Sequence, residues 1–188
     1  KGGGHGSYKC IVLAPNSAQE MCDFTMLAFD LADQYRIPVY VLADGVIGQM
    51  IESVGLREPL AKKPIPEWAL AGTKESRRNM ITSIYLDHDD LENVNLKLQQ
   101  KYADIEDSEQ RCEIYKTDDA ELIVVGYGII SRILHSAVDI LRKDGYKVGM
   151  LRPITLFPFP KDQLQEFALS VDSFLCVEMS NGQMVDDI

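Results

Sequence analysis

The sequence predicts an α/β fold built from parallel-sheet βαβ lobes, and three observations carry that reading. Leu122-Ile123-Val124-Val125 is an unbroken apolar run closed by Gly126, the pattern of a strand buried on both faces. The next segment places Ile130, Ile133, Leu134, Ala137, Val138 and Leu141 on one helical face. It carries Arg142 and Lys143 in its last turn and stops at Gly145, so the cations sit at the negative end of the helix. A second apolar run follows from Val148 to Leu151. Strand, helix and strand in so short a span make a crossover of the kind that joins parallel strands right-handedly.

Taken from its start, the chain opens on a glycine-rich loop over residues 1–9, followed by a strand from Cys10 to Ala14. Pro15 and Asn16 break the strand, and Ser17-Ala18-Gln19-Glu20 has capping-box spacing: the Ser17 side chain accepts from the Glu20 amide and Glu20 reaches back to the Ser17 amide. The helix runs to Tyr35 with Met21, Phe24, Ala28, Leu31 and Tyr35 inward. A second buried strand spans Val39 to Ala43, and Asp44 to Met50 opens a short helical segment. From Ser53 to Thr82 the periodicity dissolves among Pro59, Pro64 and Pro66, as in a semi-rigid linker, with Trp68 as its anchor. A charged helix from Asp90 to Arg111 carries Leu91, Val94, Leu98 and Tyr102 as a narrow stripe. After the central βαβ unit come a proline-punctuated exit over Pro153 to Pro160, a helix from Asp162 to Leu169 and a strand from Phe174 to Val177. The loop Glu178 to Met184 enters a further helix. Two βα steps are too few to bury a core alone, so the pattern predicts a chain that begins and ends inside domains.

With 188 residues, 46% hydrophobic and 26% charged, the composition is that of a soluble globular protein. The net charge of −10 disfavours nucleic acid and anionic membranes as partners. No apolar run reaches the ~20 residues that span a bilayer, and no export leader is visible. Cys10, Cys22, Cys112 and Cys176 are scattered without CxxC spacing, which reads as free thiols in a reducing, cytoplasmic compartment. His5, His88 and His135 lack neighbours at ligand spacing, so no metal site is expected.

Several positions admit two readings. Gly126-Tyr127-Gly128 follows a strand and opens a helix, yet lacks the third glycine of a dinucleotide fingerprint and its distal acidic residue. It reads as a tight strand-to-helix turn or as a ligand-facing loop. Asp119 and Glu121 lie at the wrong end of the sheet and read as solvated charges. Gly2-Gly3-Gly4-His5-Gly6 is either a flexible end or a loop lining a site, with His5 as donor. Asp44 and Glu178 close strands where α/β sites lie, and each serves equally as a cap. No nucleophile–base pair, metal triad or paired carboxylates can be assembled.

These residues carry a resemblance. Asp119 to Gly128, with Arg132, Ala137, Gly145, Lys147-Val148-Gly149, Arg152-Pro153-Ile154-Thr155 and Phe157-Pro158-Phe159-Pro160, resembles the transketolase-C-like domain of thiamine-diphosphate enzymes. In detail it is similar to the alpha-type subunit of 2-oxoacid:ferredoxin oxidoreductases. Gly3 to Tyr8, Ile11 to Met21, Leu31-Ala32-Asp33 and Tyr35 to Val39 resemble the end of that subunit's pyrimidine-binding domain. Trp68 to Gly72, Tyr85-Leu86-Asp87 and Asn95 to Leu98 resemble the branched-chain form, which acts on 3-methyl-2-oxobutanoate (2-ketoisovalerate). The resemblance covers essentially the whole chain.

It implies a partial pyrimidine-binding domain at 1–52, a proline-containing linker and bridging helix at 53–111, and an incomplete transketolase-C-like domain at 112–188. It also implies oxidative decarboxylation: a thiamine-diphosphate carbanion attacks the 2-oxo group and CO2 leaves. Electrons then pass through [4Fe–4S] clusters to ferredoxin, and the acyl group goes to coenzyme A. The expected partners are the thiamine-diphosphate-binding beta-type subunit, which supplies diphosphate and Mg2+, and gamma- and delta-type subunits, with the clusters held in partner subunits. The activating glutamate belongs to a part of the domain preceding Lys1, so no catalytic residue is carried over. His5 is the single cofactor-binding candidate, because its loop occupies the position of a glycine-and-histidine loop near the cofactor of related enzymes. Two other readings remain: a nucleotide- or flavin-binding α/β module, and a subunit-assembly domain whose Phe157–Pro160 and Asn181–Met184 loops face partners.

Overall fold

A computed structural model describes residues 5–58 and 64–188. The chain divides into two compact units, one made of Lys1–Gly55 with Ile105–Ile188 and one of Leu56–Asp104.

The first unit holds two sheets. Strands β1 (Ile11–Leu13) and β2 (Val39–Val41) are parallel and joined by helix α1 (Ala18–Tyr35). Ser17 caps α1 by accepting the Glu20 amide at 3.2 Å. The second half of the expected capping box is replaced: the Glu20 carboxylate accepts the Asn16 amide at 2.8 Å, one residue earlier, because it also faces Arg152. Cys10 to Ala14 is buried throughout, and Ile11 and Leu13 pack with Leu31, Ile105 and Phe157.

The second sheet has the order β3-β5-β4-β7. β4 (Leu122–Val125), β5 (Val148–Pro153) and β7 (Ser173–Cys176) are parallel, joined by α3 (Ile129–Lys143) and α4 (Lys161–Ala168). All six residues of β5 are buried. Leu134 and Val138 of α3 cover Val124, Val148 and Met150 on one face, while Leu164 and Phe167 of α4 cover Ile123, Val125 and Leu151 on the other. Ile133, expected inward, is 58% exposed: the stripe that meets the sheet runs through Ile130, Leu134, Val138 and Leu141, and Ile133 falls beside it.

Two strands were not expected. Cys112–Tyr115 forms β3, antiparallel to β5, at the sheet edge; the charged helix α2 ends at Ser108 rather than Arg111 to allow it. Within the proline-rich exit, Thr155–Phe157 forms β6, which pairs antiparallel with β1. The N-terminal and C-terminal segments of the first unit thereby share one sheet, in the order β2-β1-β6. The loop Glu178–Met184 leads into a short 3-10 turn at Val185–Asp187 rather than a full helix.

The second unit contains a 3-10 turn at Glu75–Asn79 and most of α2 (His88–Ser108). Asp87 caps α2, accepting the Asp89 and Asp90 amides at 3.0 and 3.2 Å. Pro59, Lys62 and Lys63 of the expected linker lie outside the described residues.

Candidate functional site

The carboxyl ends of parallel strands are where open α/β sheets bind ligands, and Asp44, Tyr127 and Glu178 stand there, after β2, β4 and β7. With Ile130, Val177 and Met179 they line a crevice of about 70 Å3. Both of its carboxylates are already committed to backbone amides. Asp44 Oδ1 accepts the Val46 and Ile47 amides, each at 3.0 Å. Its Oδ2 accepts the Ile129 amide at 2.7 Å, at the start of α3. Gly128 has φ +59°, and a Cβ there would lie 2.5 Å from Asp44 Oδ2. The carboxylate sits where an external anion would bind a helix N-terminus. The Gly126–Gly128 turn is a junction closed by the chain's own aspartate.

Glu178 is held by the turn that follows it. Its carboxylate accepts from the Ser180 hydroxyl and from the amides of Gln183, Met184 and Val185 at 3.1, 2.9 and 3.2 Å. The Ser180 hydrogen bond first, and then the Met184 amide, lower its pKa to about 2. The Cys176 thiol donates to it at 3.6 Å. Burial, and next the Glu178 charge, push that thiol up to about 11, which leaves little thiolate at neutral pH. Burial also raises the Tyr127 phenol, with Glu178 and Asp44 adding to the shift. Nothing in the crevice is poised for proton transfer near neutrality.

A second constellation joins the N-terminal and C-terminal segments. Arg152 is fully buried on β5; it pairs with both carboxylate oxygens of Glu20, with Glu113 at 2.9 Å and with the Ala14 carbonyl at 3.2 Å. Its Nε has no partner. Asn16 donates to Ser131 at 3.2 Å, and Arg132 reaches Glu52 at 2.6 Å. These contacts fix the loop after β1 against α3 and β5. Asp119 and Glu121, read as solvated charges, pair at the surface with Arg142 and Lys147.

The larger openings lie along β6. One cleft of about 500 Å3 is lined by Gly6 to Lys9, Glu106, Phe157 and Lys161, and another of about 430 Å3 by Leu42, Tyr127, Gln183 and Met184. They share Leu156, Phe159 and Asp187. Lys9 reaches Glu106 at 2.6 Å and lies 4.9 Å over the Phe157 ring. His5 is exposed on the loop leading into the first cleft; Gly2 to Gly4 lie outside the described residues. Phe157, assigned above to a partner-facing loop, is instead 7% exposed and packed against Ile11, Leu13 and Ile105, because β6 turns it into the core. Among the described residues no group of three or more His, Cys, Asp or Glu is placed to hold a metal ion, and no helix is long and apolar enough to cross a membrane.

The chain matches two family models: residues 6–116 match the pyruvate flavodoxin/ferredoxin oxidoreductase, thiamine diphosphate-binding model, and residues 120–188 match the pyruvate:ferredoxin oxidoreductase core domain II model. It is 56% identical to ketoisovalerate oxidoreductase subunit VorB of Methanothermobacter marburgensis, over 100% of this chain and 54% of that protein. It is 36% identical to 2-oxoglutarate synthase subunit KorA of Methanocaldococcus jannaschii, over 99% of this chain and 57% of that protein. The chain spans about half the length of the curated relatives it matches. In fold it is similar to a 2-oxoglutarate:ferredoxin oxidoreductase from Magnetococcus marinus, solved with 2-oxoglutarate, coenzyme A and succinyl-CoA bound. The TM-score is 0.77 at 20% identity, over 99% of this chain and 38% of that one. A strand-first α/β core without a dinucleotide site, matched by these models over nearly its whole length, leads to one assignment: the chain belongs to the pyruvate flavodoxin/ferredoxin oxidoreductase family.

Proposed function

We propose that this chain is part of the subunit that frames the active site of a branched-chain 2-oxoacid:ferredoxin oxidoreductase, acting on 3-methyl-2-oxobutanoate. The carrying observation is the 56% identity to a ketoisovalerate oxidoreductase subunit along the whole chain, against 36% to a 2-oxoglutarate synthase subunit. In this reading residues 1–52 belong to the pyrimidine-binding domain, 53–111 connect, and 112–188 form the transketolase-C-like domain. Thiamine diphosphate, when bound, supplies the carbanion chemistry that releases CO2 from a 2-oxoacid. Mg2+ and [4Fe–4S] clusters are assigned to the beta-, gamma- and delta-type partner subunits, coenzyme A is the acyl acceptor, and ferredoxin takes the electrons in the cytoplasm.

The geometry supports a framing role for this chain. Its strand-end carboxylates are bound to its own amides, and Arg152, Asp44 and Arg132 hold the loops after β1 and β2 against the second sheet. No side chain among the described residues near those loops has the pairing of a general acid and base. The test uses the complete protein with its partner subunits, and follows ferredoxin reduction with thiamine diphosphate, coenzyme A and one 2-oxoacid at a time. We expect kcat/KM for 3-methyl-2-oxobutanoate to exceed that for 2-oxoglutarate and pyruvate by about tenfold or more, a difference of ~1.4 kcal/mol in transition-state binding. A preference for 2-oxoglutarate overturns the substrate, and turnover independent of coenzyme A overturns the reaction.

His5 is offered as the cofactor-facing residue, on the support of its place on the loop that enters the 500 Å3 cleft. His5→Ala is expected to raise the thiamine diphosphate concentration needed for half-maximal activity several-fold while the saturated rate is retained. An unchanged requirement removes His5 from the site.

A further inference from the structure

Within the second unit, a turn holds a fixed shape without burying its apolar side chains. The Ser76 hydroxyl accepts the Ala71 and Thr73 amides at 3.2 Å and donates to the Thr73 carbonyl at 2.9 Å. Thr73 Oγ1 accepts the Ser76 amide in return, also at 3.2 Å. Asn79 donates to the Glu67 and Ala69 carbonyls at 2.6 and 3.0 Å. Side chain and backbone thus tie residues 67–80 into one loop. Outward from it and the segment that follows stand Leu70, Met80, Ile81, Ile84 and Leu86, from 61% to 90% exposed. A solvated linker has no use for so many large apolar groups, whereas an interface has. Order already present in the free segment lowers the entropy lost on docking.

Charge identifies the surface it fits. Lys74, Arg77 and Arg78 are exposed in and beside the 3-10 turn. From Leu56 to Leu86 there are six basic and three acidic side chains, while the first unit carries 21 acidic against 11 basic ones and so accounts for the whole net charge of −10. The apolar turn is basic on a chain whose main body is acidic.

We propose that residues 67–86 form a docking arm that seats on the acidic first unit of a second copy of this chain. Opposite charges steer and orient such a contact, and burial of the five apolar side chains holds it.

The test uses the complete protein assembled with its partner subunits from an equal mixture of 15N-labelled and unlabelled copies of this chain. A photo-crosslinking benzoylphenylalanine replaces Ile81. The expected result is crosslinked peptide pairs of mixed label, joining position 81 to segments within 1–55 or 105–188. Pairs confined to one copy, or leading to a different subunit, overturn the proposal. In parallel, Lys74→Glu/Arg77→Glu/Arg78→Glu is expected to weaken association of two copies by about tenfold or more by sedimentation, with hydrogen exchange of β1, β4 and β5 unchanged. Rising salt is expected to weaken the unaltered protein in the same direction. Association indifferent to both overturns it. Neither readout uses catalysis, so the outcome is independent of the proposed reaction.

Discussion

Asp44 joins three amides from two segments that lie 85 residues apart along the chain, and its neighbour Gly128 exists to make room for it. Losing an N-terminal cap costs about 0.5–2 kcal/mol, so Asp44→Ala is expected to accelerate hydrogen exchange at the Ile129 amide. Gly128→Ala meets two obstacles, a positive φ and the Asp44 oxygen. Only the second is relieved when Asp44 is shortened. The two changes should therefore be non-additive, with Gly128→Ala less damaging in the Asp44→Ala background; simple additivity in melting temperature would contradict the contact. Glu178 gives a pH signature. Its unfolded carboxyl takes a proton near ~4.3 and the folded one only at about 2. Between these values the unfolded state binds a proton that the folded state refuses. The stability it contributes is thus complete above the upper value and lost as pH falls toward the lower. Glu178→Gln should flatten the acid limb of a melting-temperature profile between those values. It should also bring the Cys176 alkylation midpoint down from about 11 by removing the neighbouring charge, though burial keeps the midpoint raised.

Among the elements, the strands that could be read were those with uninterrupted apolar runs. Leu122–Val125 and Val148–Leu151 are buried from both sides, so their residues announce them. β3 and β6 escaped because edge strands need only part of a buried face. Cys112-Glu113-Ile114-Tyr115 has Ile114 half in water and Glu113 paired to Arg152, and Thr155-Leu156-Phe157 is shorter than any periodicity test. Missing β6 also misplaced Phe157. Its position against Ile11 and Leu13 predicts that Phe157→Ala costs about 3–5 kcal/mol of fold stability. Ile133→Gln, on the open side of α3, should change stability by less than ~0.5 kcal/mol. Comparable losses for the two, read as melting-temperature shifts, would contradict the packing described. Asp44 and Glu178 were visible as strand-end acids, but a sequence cannot say which amides lie opposite them. That depends on which strand ends become neighbours.

For the whole molecule, Arg152 is the long-range fastener. The sequence hid it inside a buried run, where an arginine is anomalous and so was the one available signal. A buried charge is tolerable only with its partners present. Arg152→Ala should leave Glu20 facing an empty site and cost about 3–5 kcal/mol, whereas Arg152→Met with Glu20→Gln should recover much of that loss, since apolar replacement of a whole buried pair is often neutral. A double variant no more stable than Arg152→Ala would show that the pair stabilises beyond its charge balance.

The β1–β6 pairing carries a consequence of its own. The first unit is assembled from two stretches of chain separated by the 49 residues from Leu56 to Asp104. Strand pairing, the Asp44 cap and the Arg152 fastener hold those stretches together without help from the peptide that links them. A protease that nicks the intervening segment should leave a particle that still elutes as one, and the two pieces, produced separately, should find each other and refold as a split protein. In this molecule continuity of the backbone and continuity of the fold are separate properties.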